Sequence, residues 1–415
     1  MKTTSKYPRH RLKFVATIND DTLSEDFDPE LEIEYIDIGN IDSSGNLNGT
    51  TTYKFDDAPS RARRVVKDGD VIISTVRTYL KAIAAVNSPP ENLIVSTGFA
   101  VIRSRKDILN PKFCSYALRE SAFLAEVERR SVGISYPAIN SSEIGDIAIP
   151  IPPLNEQEAI AEFLETELNY LDTLIEVKQK MLKLLNEKRL VIISKAIMRG
   201  LNSSVSMRSS GVDWLGDVPS HWDVERSRWL FEERDNRSKT GEEEMLTVSH
   251  KTGVTPRSEK TVHMFKAETN EGYKLCFKGD LAVNTLWAWM GAMGVSKVDG
   301  IVSPAYHVYN PRPRLDPNYV DALVRIPDFA KEVTRYSKGV WSSRLRLYPE
   351  GFFKTFWPVP PIEEQREIVV HVAREVNKID KLSETMKASV ALLKERREAL
   401  ISAAVTGQID ISEAA

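Results

Sequence analysis

Cysteine is nearly absent: 415 residues hold two, Cys114 and Cys276, far apart and in apolar surroundings. That excludes a disulfide framework and any Cys/His zinc spacing, and it reads as two buried thiols. The six histidines are scattered, none at metal-ligand spacing from another. No apolar run approaches the ~20 residues that cross a bilayer. Met1–Lys6 has no apolar core behind it, so no secretory signal is expected and the expected location is cytoplasmic. No GxxxxGK[ST] phosphate loop occurs, and no glycine-rich loop follows a strand to hold S-adenosylmethionine. Ser88-Pro89-Pro90-Glu91 carries a glutamate where the amino-methyltransferase motif has its stacking aromatic, and Glu176-Val177-Lys178 falls inside a long helical stretch rather than on a strand edge. Catalysis, metals and cofactors of the chain's own are therefore not expected. A net charge of -3 excludes a wholesale basic binder while leaving local basic faces possible.

What the chain has is a repeat. Ile149-Pro150-Ile151-Pro152-Pro153-Leu154-Asn155-Glu156-Gln157 returns as Trp357-Pro358-Val359-Pro360-Pro361-Ile362-Glu363-Glu364-Gln365, at an offset of 208. Carried without gaps along 150–199, the offset pairs 18 identical residues of 50, among them Asp172/Asp380, Leu185/Leu393 and Arg189/Arg397. Upstream the match weakens to Gly69-Asp70 against Gly279-Asp280, Thr75 against Thr285, and Val95-Ser96 against Val302-Ser303. The chain is thus two copies of one plan, a divergent globular part followed by a similar helical tail.

Each tail starts after a Pro-Pro pair and runs without proline or glycine, to Gly200 in the first copy and Gly407 in the second. Apolar residues recur in alternating steps of four and three. Leu164, Leu168, Leu171, Ile175, Leu182, Leu185, Ile192 and Ala196 mark the first seam; Val372, Val376, Ile379, Met386, Val390, Leu393, Leu400 and Ala404 mark the second. That is the period of a left-handed coiled coil. A helix of ~44 residues is roughly 65 Å long and needs a partner for its stripe, which the other copy supplies if the two run antiparallel. Arg189 and Arg397 interrupt the seam; they either pair with acidic neighbours or face a partner. In the globular parts, 31–38, 70–75 and 93–96 read as strands, 111–127 and 318–336 as short helices, with two small sheets overall.

Charge is unevenly placed. Ten acidic and no basic residues lie between Asp20 and Asp42, whereas Lys54–Lys112 holds 11 basic and 6 acidic. In the second half, cations cluster with aromatics and hydroxyls from Arg335 to Arg346. Cations suit phosphates, while Asn, Arg and aromatics reach base edges. The candidate DNA-binding residues are Arg61, Arg63 and Arg64 as a phosphate-facing group; Arg77, Tyr79 and Lys81 following a strand; and Tyr136 in a Gly-Ile-Ser-Tyr loop. Asn284, Trp287 and Trp289 stand in the place equivalent to the Arg77 loop, with Lys338, Arg344 and Arg346 as basic candidates. Core packing is the competing role for the two tryptophans.

Three motifs together resemble one family. Ser210-Gly211-Val212-Asp213-Trp214-Leu215-Gly216-Asp217-Val218-Pro219-Ser220-His221-Trp222, the paired Pro-Pro-x-x-Glu-Gln segments and the ending Thr406-Gly407-Gln408-Ile409-Asp410 are similar to those of specificity subunits of type I restriction–modification systems. The resemblance covers the whole chain. It departs at the start, where Tyr7-Pro8-Arg9-His10-Arg11-Leu12-Lys13 lacks the Gly-x-x-Pro-x-x-Trp opening of the second half. It implies an α+β chain with a pseudo-twofold internal repeat. Two mixed target-recognition domains, 1–150 and 201–358, would be separated by two long antiparallel coiled-coil helices, 151–200 and 359–415. It also implies a non-catalytic subunit that reads a bipartite, asymmetric site on double-stranded DNA. Two modification subunits would bind S-adenosylmethionine and methylate adenine, and restriction subunits would use ATP and Mg. The rival reading of the same features is a coiled-coil protein-interaction scaffold without DNA readout.

Overall fold

The computed structural model describes residues 5–24, 28–42, 45–259, 269–340 and 344–411. The chain forms two compact units: unit 1 joins 1–179 with 387–415, and unit 2 is 180–386. In unit 1, β1 (Ala16–Ile18), β2 (Val71–Ser74), β3 (Ile83–Ala85) and β4 (Phe99–Ser104) form an antiparallel sheet in the order β1-β4-β2-β3. In unit 2, β5 (Phe231–Arg234), β6 (Leu281–Val283), β7 (Met293–Val295) and β8 (His307–Pro311) repeat that order as β5-β8-β6-β7. The repeat is therefore topological where sequence identity has faded. Unit 1 adds a second four-stranded sheet around Glu32–Ile36 and Leu93–Ser96, so the sheets outnumber the two expected.

The Gly-Asp repeats explain themselves here. Asp70 accepts from the Lys67 amide at 2.8 Å and holds Arg103 bidentately at 2.9 and 2.7 Å. Asp280 accepts from the Phe277 amide at 2.9 Å and holds Arg234 at 2.9 and 3.3 Å. Both carboxylates are buried, and a buried charge needs its partner. The arginine comes from β4 in one unit and from β5 in the other, so the turn is kept while the cation's position is not.

Each helical stretch expected as one piece is two. Helix α1 (Pro111–Ala117) ends before α2 (Ser121–Arg130), because Glu120 turns its carboxylate onto the amides of Ala122 and Phe123 and caps a new start. Helix α4 (Pro317–Val324) stops before α5 (Pro327–Tyr336), because Pro327 has no amide to continue the ladder and suits the first helical position.

The long helices are α3 (Leu154–Arg199, 46 residues) and α6 (Ile362–Val405, 44 residues). Unit 1 takes the first part of α3 and the last part of α6. There Leu164, Leu168 and Leu171 share a core with Ile401, Ala404, Val405 and the globular part. Unit 2 takes the remainder, where Ala196 and Ile197 share a core with Ile368 and Val372. The seam arginines are paired within each unit: Arg397 with Asp172 at 2.9 Å and Arg189 with Asp380 at 3.5 Å. Both partners belong to the identical pairs of the repeat, so one ion pair is built twice.

The glutamine of the Pro-Pro-x-x-Glu-Gln motif is fully buried in both copies. Gln157 donates to the Ile108 and Pro152 carbonyls and accepts from the Asn110 amide, at 2.8–2.9 Å. Gln365 donates to Arg314 and Pro360 and accepts from Asp316, again at 2.8–2.9 Å. Asn110 and Asp316 are the capping residues of α1 and α4. One carboxamide thus ties the start of a long helix to the globular part before it. The preceding glutamate has a matching role. Trp222 Nε1 donates to Glu364 at 3.0 Å, and the Tyr7 hydroxyl donates to Glu156 at 2.8 Å. Trp222 lies against Gly200 and Tyr7 against Gly407, glycines with φ of +72° and +73°. Tyr7 therefore fills the place of the missing tryptophan, and the first half docks as the second does.

Gln365→Leu leaves the Arg314 and Pro360 carbonyls and the Asp316 amide without their buried partner and should destabilise unit 2 by about 2–4 kcal/mol. Glu363→Gln, at an exposed site two residues away, should change stability by less than about 0.5 kcal/mol; denaturant unfolding of the two variants checks this. Burial pushes both thiols up to about 12. Native protein at pH 8 should therefore show no fast-reacting thiol, and unfolded protein two, by titration with a chromogenic disulfide.

Candidate nucleic-acid interface

Two loops on one framework build the same surface in each unit. The first joins the second and third strands in sequence, β2 to β3 in unit 1 and β6 to β7 in unit 2. The second is a finger that follows α2 or α5. Its base in unit 1 is a reciprocal backbone pair between Val132 and Ala138, at 2.8 and 3.0 Å, and Ile139 donates to Thr75 of the first loop. In unit 2, Lys338 and Arg346 make the pair, at 2.9 Å each way, and Leu347 donates to Thr285. Ser131 and Ser337 end the preceding helices alike, each hydroxyl bonding the carbonyl four residues back.

In unit 1 the loops bring together Arg77, Tyr79, Lys81 and Tyr136, all exposed. The Arg77 guanidinium lies 5.0 Å from the Tyr136 ring centre, although the two are far apart in sequence. Arg77 (φ +52°) and Lys81 (φ +50°) are both left-handed, two of four non-glycine residues so placed among those described. Left-handed backbone at non-glycine residues carries strain, which collects at binding sites.

In unit 2 the first loop exposes Trp287, whose ring lies 6.5 Å from that of half-buried Trp289 at 19°. Neither packs in the core. Lys338, Arg344 and Arg346 are exposed on the finger. Trp341, Ser342 and Ser343 of the same cluster lie outside the described residues.

Two expectations need correction. Asn284 is buried, its amide nitrogen 3.0 Å from the Tyr306 hydroxyl and its oxygen accepting from the Leu286 amide, so it braces the loop from within. Arg61, Arg63 and Arg64 do not form one patch: Arg61 precedes the strand Ala62–Val65, whose register shifts between Ala62 and Arg64, and each arginine meets a different partner. Arg63 lies over the Phe55 ring, and Arg64, its pKa lowered by burial, donates to Thr22. Arg61 is exposed and 3.6 Å from Asp37.

Sequence reading missed the exposed alkyl side chains of the fingers, Val132, Ile134 and Val340, which stand in solvent. The available signal was the alignment of Ser131-Val132-Gly133-Ile134 with Ser337-Lys338-Gly339-Val340. Among the described residues no cluster of acidic, His or Cys side chains is suited to a metal, and no helix is long and apolar enough to cross a membrane.

Residues 11–184 match the family described as the type I restriction modification DNA specificity domain. The MjaX specificity subunit of a type I restriction enzyme of Methanocaldococcus jannaschii is 26% identical over 161 residues, 38% of this chain and 36% of that protein. The matched stretch thus spans about a third of that relative. The EcoBI specificity subunit of Escherichia coli is 21% identical over 74% of this chain and 68% of its own. A chain solved in work on assembly and conformational transition of the type I R-M system superposes with a TM-score of 0.77. It is 21% identical and covers 97% of this chain and 98% of its own. The HsdS subunit of Thermoanaerobacter tengcongensis gives 0.56 at 22% identity, over 99% and 98%. These two superpositions show the fold.

Arg77→Gly should hold or raise the unfolding midpoint, because glycine takes the left-handed backbone freely. Arg77→Val should cost about 1–2 kcal/mol at the same place. Thermal unfolding of both variants checks this.

Proposed function

We propose that this chain, similar to specificity subunits of type I restriction–modification systems, is itself such a subunit and that its duplicated surface reads a bipartite, asymmetric site on double-stranded DNA. The observation that carries this is the repetition of one loop pair, cationic and aromatic, on the same strand order in both units. Each unit reads one half-site. Arg77, Lys81, Lys338, Arg344 and Arg346 supply phosphate and base contacts, and Tyr79, Tyr136, Trp287 and Trp289 supply stacking and edge contacts. The long helices contribute to both units and set the gap between half-sites.

Exposed apolar residues along those helices, among them Tyr170, Val177, Leu184, Val191 and Val370, give partner subunits a surface to cover. In this reading two modification subunits dock there, bind S-adenosylmethionine and methylate adenines, and restriction subunits bring ATP and Mg. This chain supplies recognition and no catalytic group.

The test is selection from a randomised duplex pool by the chain co-purified with its modification subunits. Two short motifs at a fixed gap are expected. Removing matched heptads from α3 and α6 should change the gap and leave both motifs intact. Arg77→Ala should weaken reading of the unit 1 half-site alone by about ten- to a hundredfold. A single motif, or none, would move the protein-interaction scaffold to first place.

A further inference from the structure

The two fingers share one unusual feature. Ile134 is 104% exposed and Val340 94%, although each is a β-branched alkyl side chain that contributes nothing to the fold from there. A glycine precedes each. A Cβ on Gly133 would lie 3.0 Å from the Tyr136 carbonyl oxygen, and one on Gly339 would lie 2.8 Å from that of Arg344. The finger is thus tight at the glycine, and the residue after it projects fully into solvent. Sequence around these residues has otherwise diverged, Val132 standing opposite Lys338.

The surroundings say what the tips meet. Two residues along from Ile134 is Tyr136, under the Arg77 guanidinium. Val340 stands in a finger with exposed Lys338, Arg344 and Arg346. These alkyl side chains stand among cations, with Val132 also exposed beside Ile134. They suit a polyanion with a small apolar feature recessed between its charges. The major groove of DNA has one such feature, the 5-methyl group of thymine. A β-branched side chain is stiff at χ1, so little rotamer freedom is lost when it is held there. Valine is also too short to unstack a base step as a wedge does.

We propose that Ile134 and Val340 are the apolar readers of the two half-sites, each packing on the 5-methyl group of one thymine in the major groove. The proposal rests on the DNA-specificity reading above.

The experiment uses the complex with modification subunits, the selected duplex and one fixed salt concentration. Each thymidine in turn is replaced by deoxyuridine, which lacks only the methyl group, and binding is followed by anisotropy. One position in each half-site should weaken binding about three- to tenfold, the effect of one methyl group removed from water. Ile134→Ser should weaken binding by the same factor and abolish the response at its position, leaving that in the other half-site. Val340→Ser should do the reverse. Both positions are fully exposed, so unfolding midpoints should not move. Unchanged deoxyuridine responses in the variants, or equal loss on all DNA, would overturn the proposal. So would a rise in 2-aminopurine fluorescence beside the tip, the sign of an intercalating wedge. Failure of the unmodified complex to select any bipartite site would instead sink the DNA reading and take this proposal with it.

Discussion

An apolar stripe along more than 40 residues of helix cannot stay in water, and the rest of the structure follows from how it is covered. The first part of α3 and the last part of α6 lie in the core of unit 1, and the remainders lie in that of unit 2. Neither globular part therefore has a complete core of its own. The seam arginines fit this arrangement because each finds an aspartate from the partner helix, Arg397 with Asp172 and Arg189 with Asp380. A charge in such a stripe contributes little stability for its desolvation cost. It specifies register, since sliding either helix would strand it.

Around that constraint the two halves reach the same mechanical ends by different residues. The buried glutamine that ties helix to globular part is identical in both. The arginine on the Gly-Asp turn comes from different strands, and the aromatic on the motif glutamate is tyrosine in one half and tryptophan in the other. What is kept is the set of buried polar groups that must be satisfied. What varies is the direction from which each partner arrives. The exposed loops are freer still, because an exposed side chain owes nothing to the core.

That division also governs what the sequence could tell. The repeat, the long helices and the strands at 71–74 and 93–96 were legible because period and offset are properties of sequence alone. The breaks at Glu120 and Pro327 were missed, the first because a glutamate as a cap looks like any other glutamate. The role of Gln157 was hidden for the same reason: its three partners are backbone groups, which have no sequence signature. In the interface, Arg77 and Tyr136 were each picked for chemistry and the fold brought them together. Asn284 was picked on the same chemistry and faces inward, because a polar loop residue reads alike whether it meets a ligand or its own backbone. Arg63 and Arg64 sit where the strand register shifts, and each turns to a different local partner, which the run of cations in sequence does not reveal.

Unit 1 is discontinuous: the Lys6 amide donates to the Thr406 carbonyl at 2.8 Å, and Ile401, Ala404 and Val405 complete a core begun at Leu12. Unit 2 is one continuous stretch. On the ribosome the order of completion is therefore the reverse of the order of synthesis. The second-made half can close while the first-made half still waits, with Leu164, Leu168 and Leu171 unsheltered, for the last turns of α6. Chaperone capture and premature truncation would thus bear hardest on the half of the molecule that was translated first.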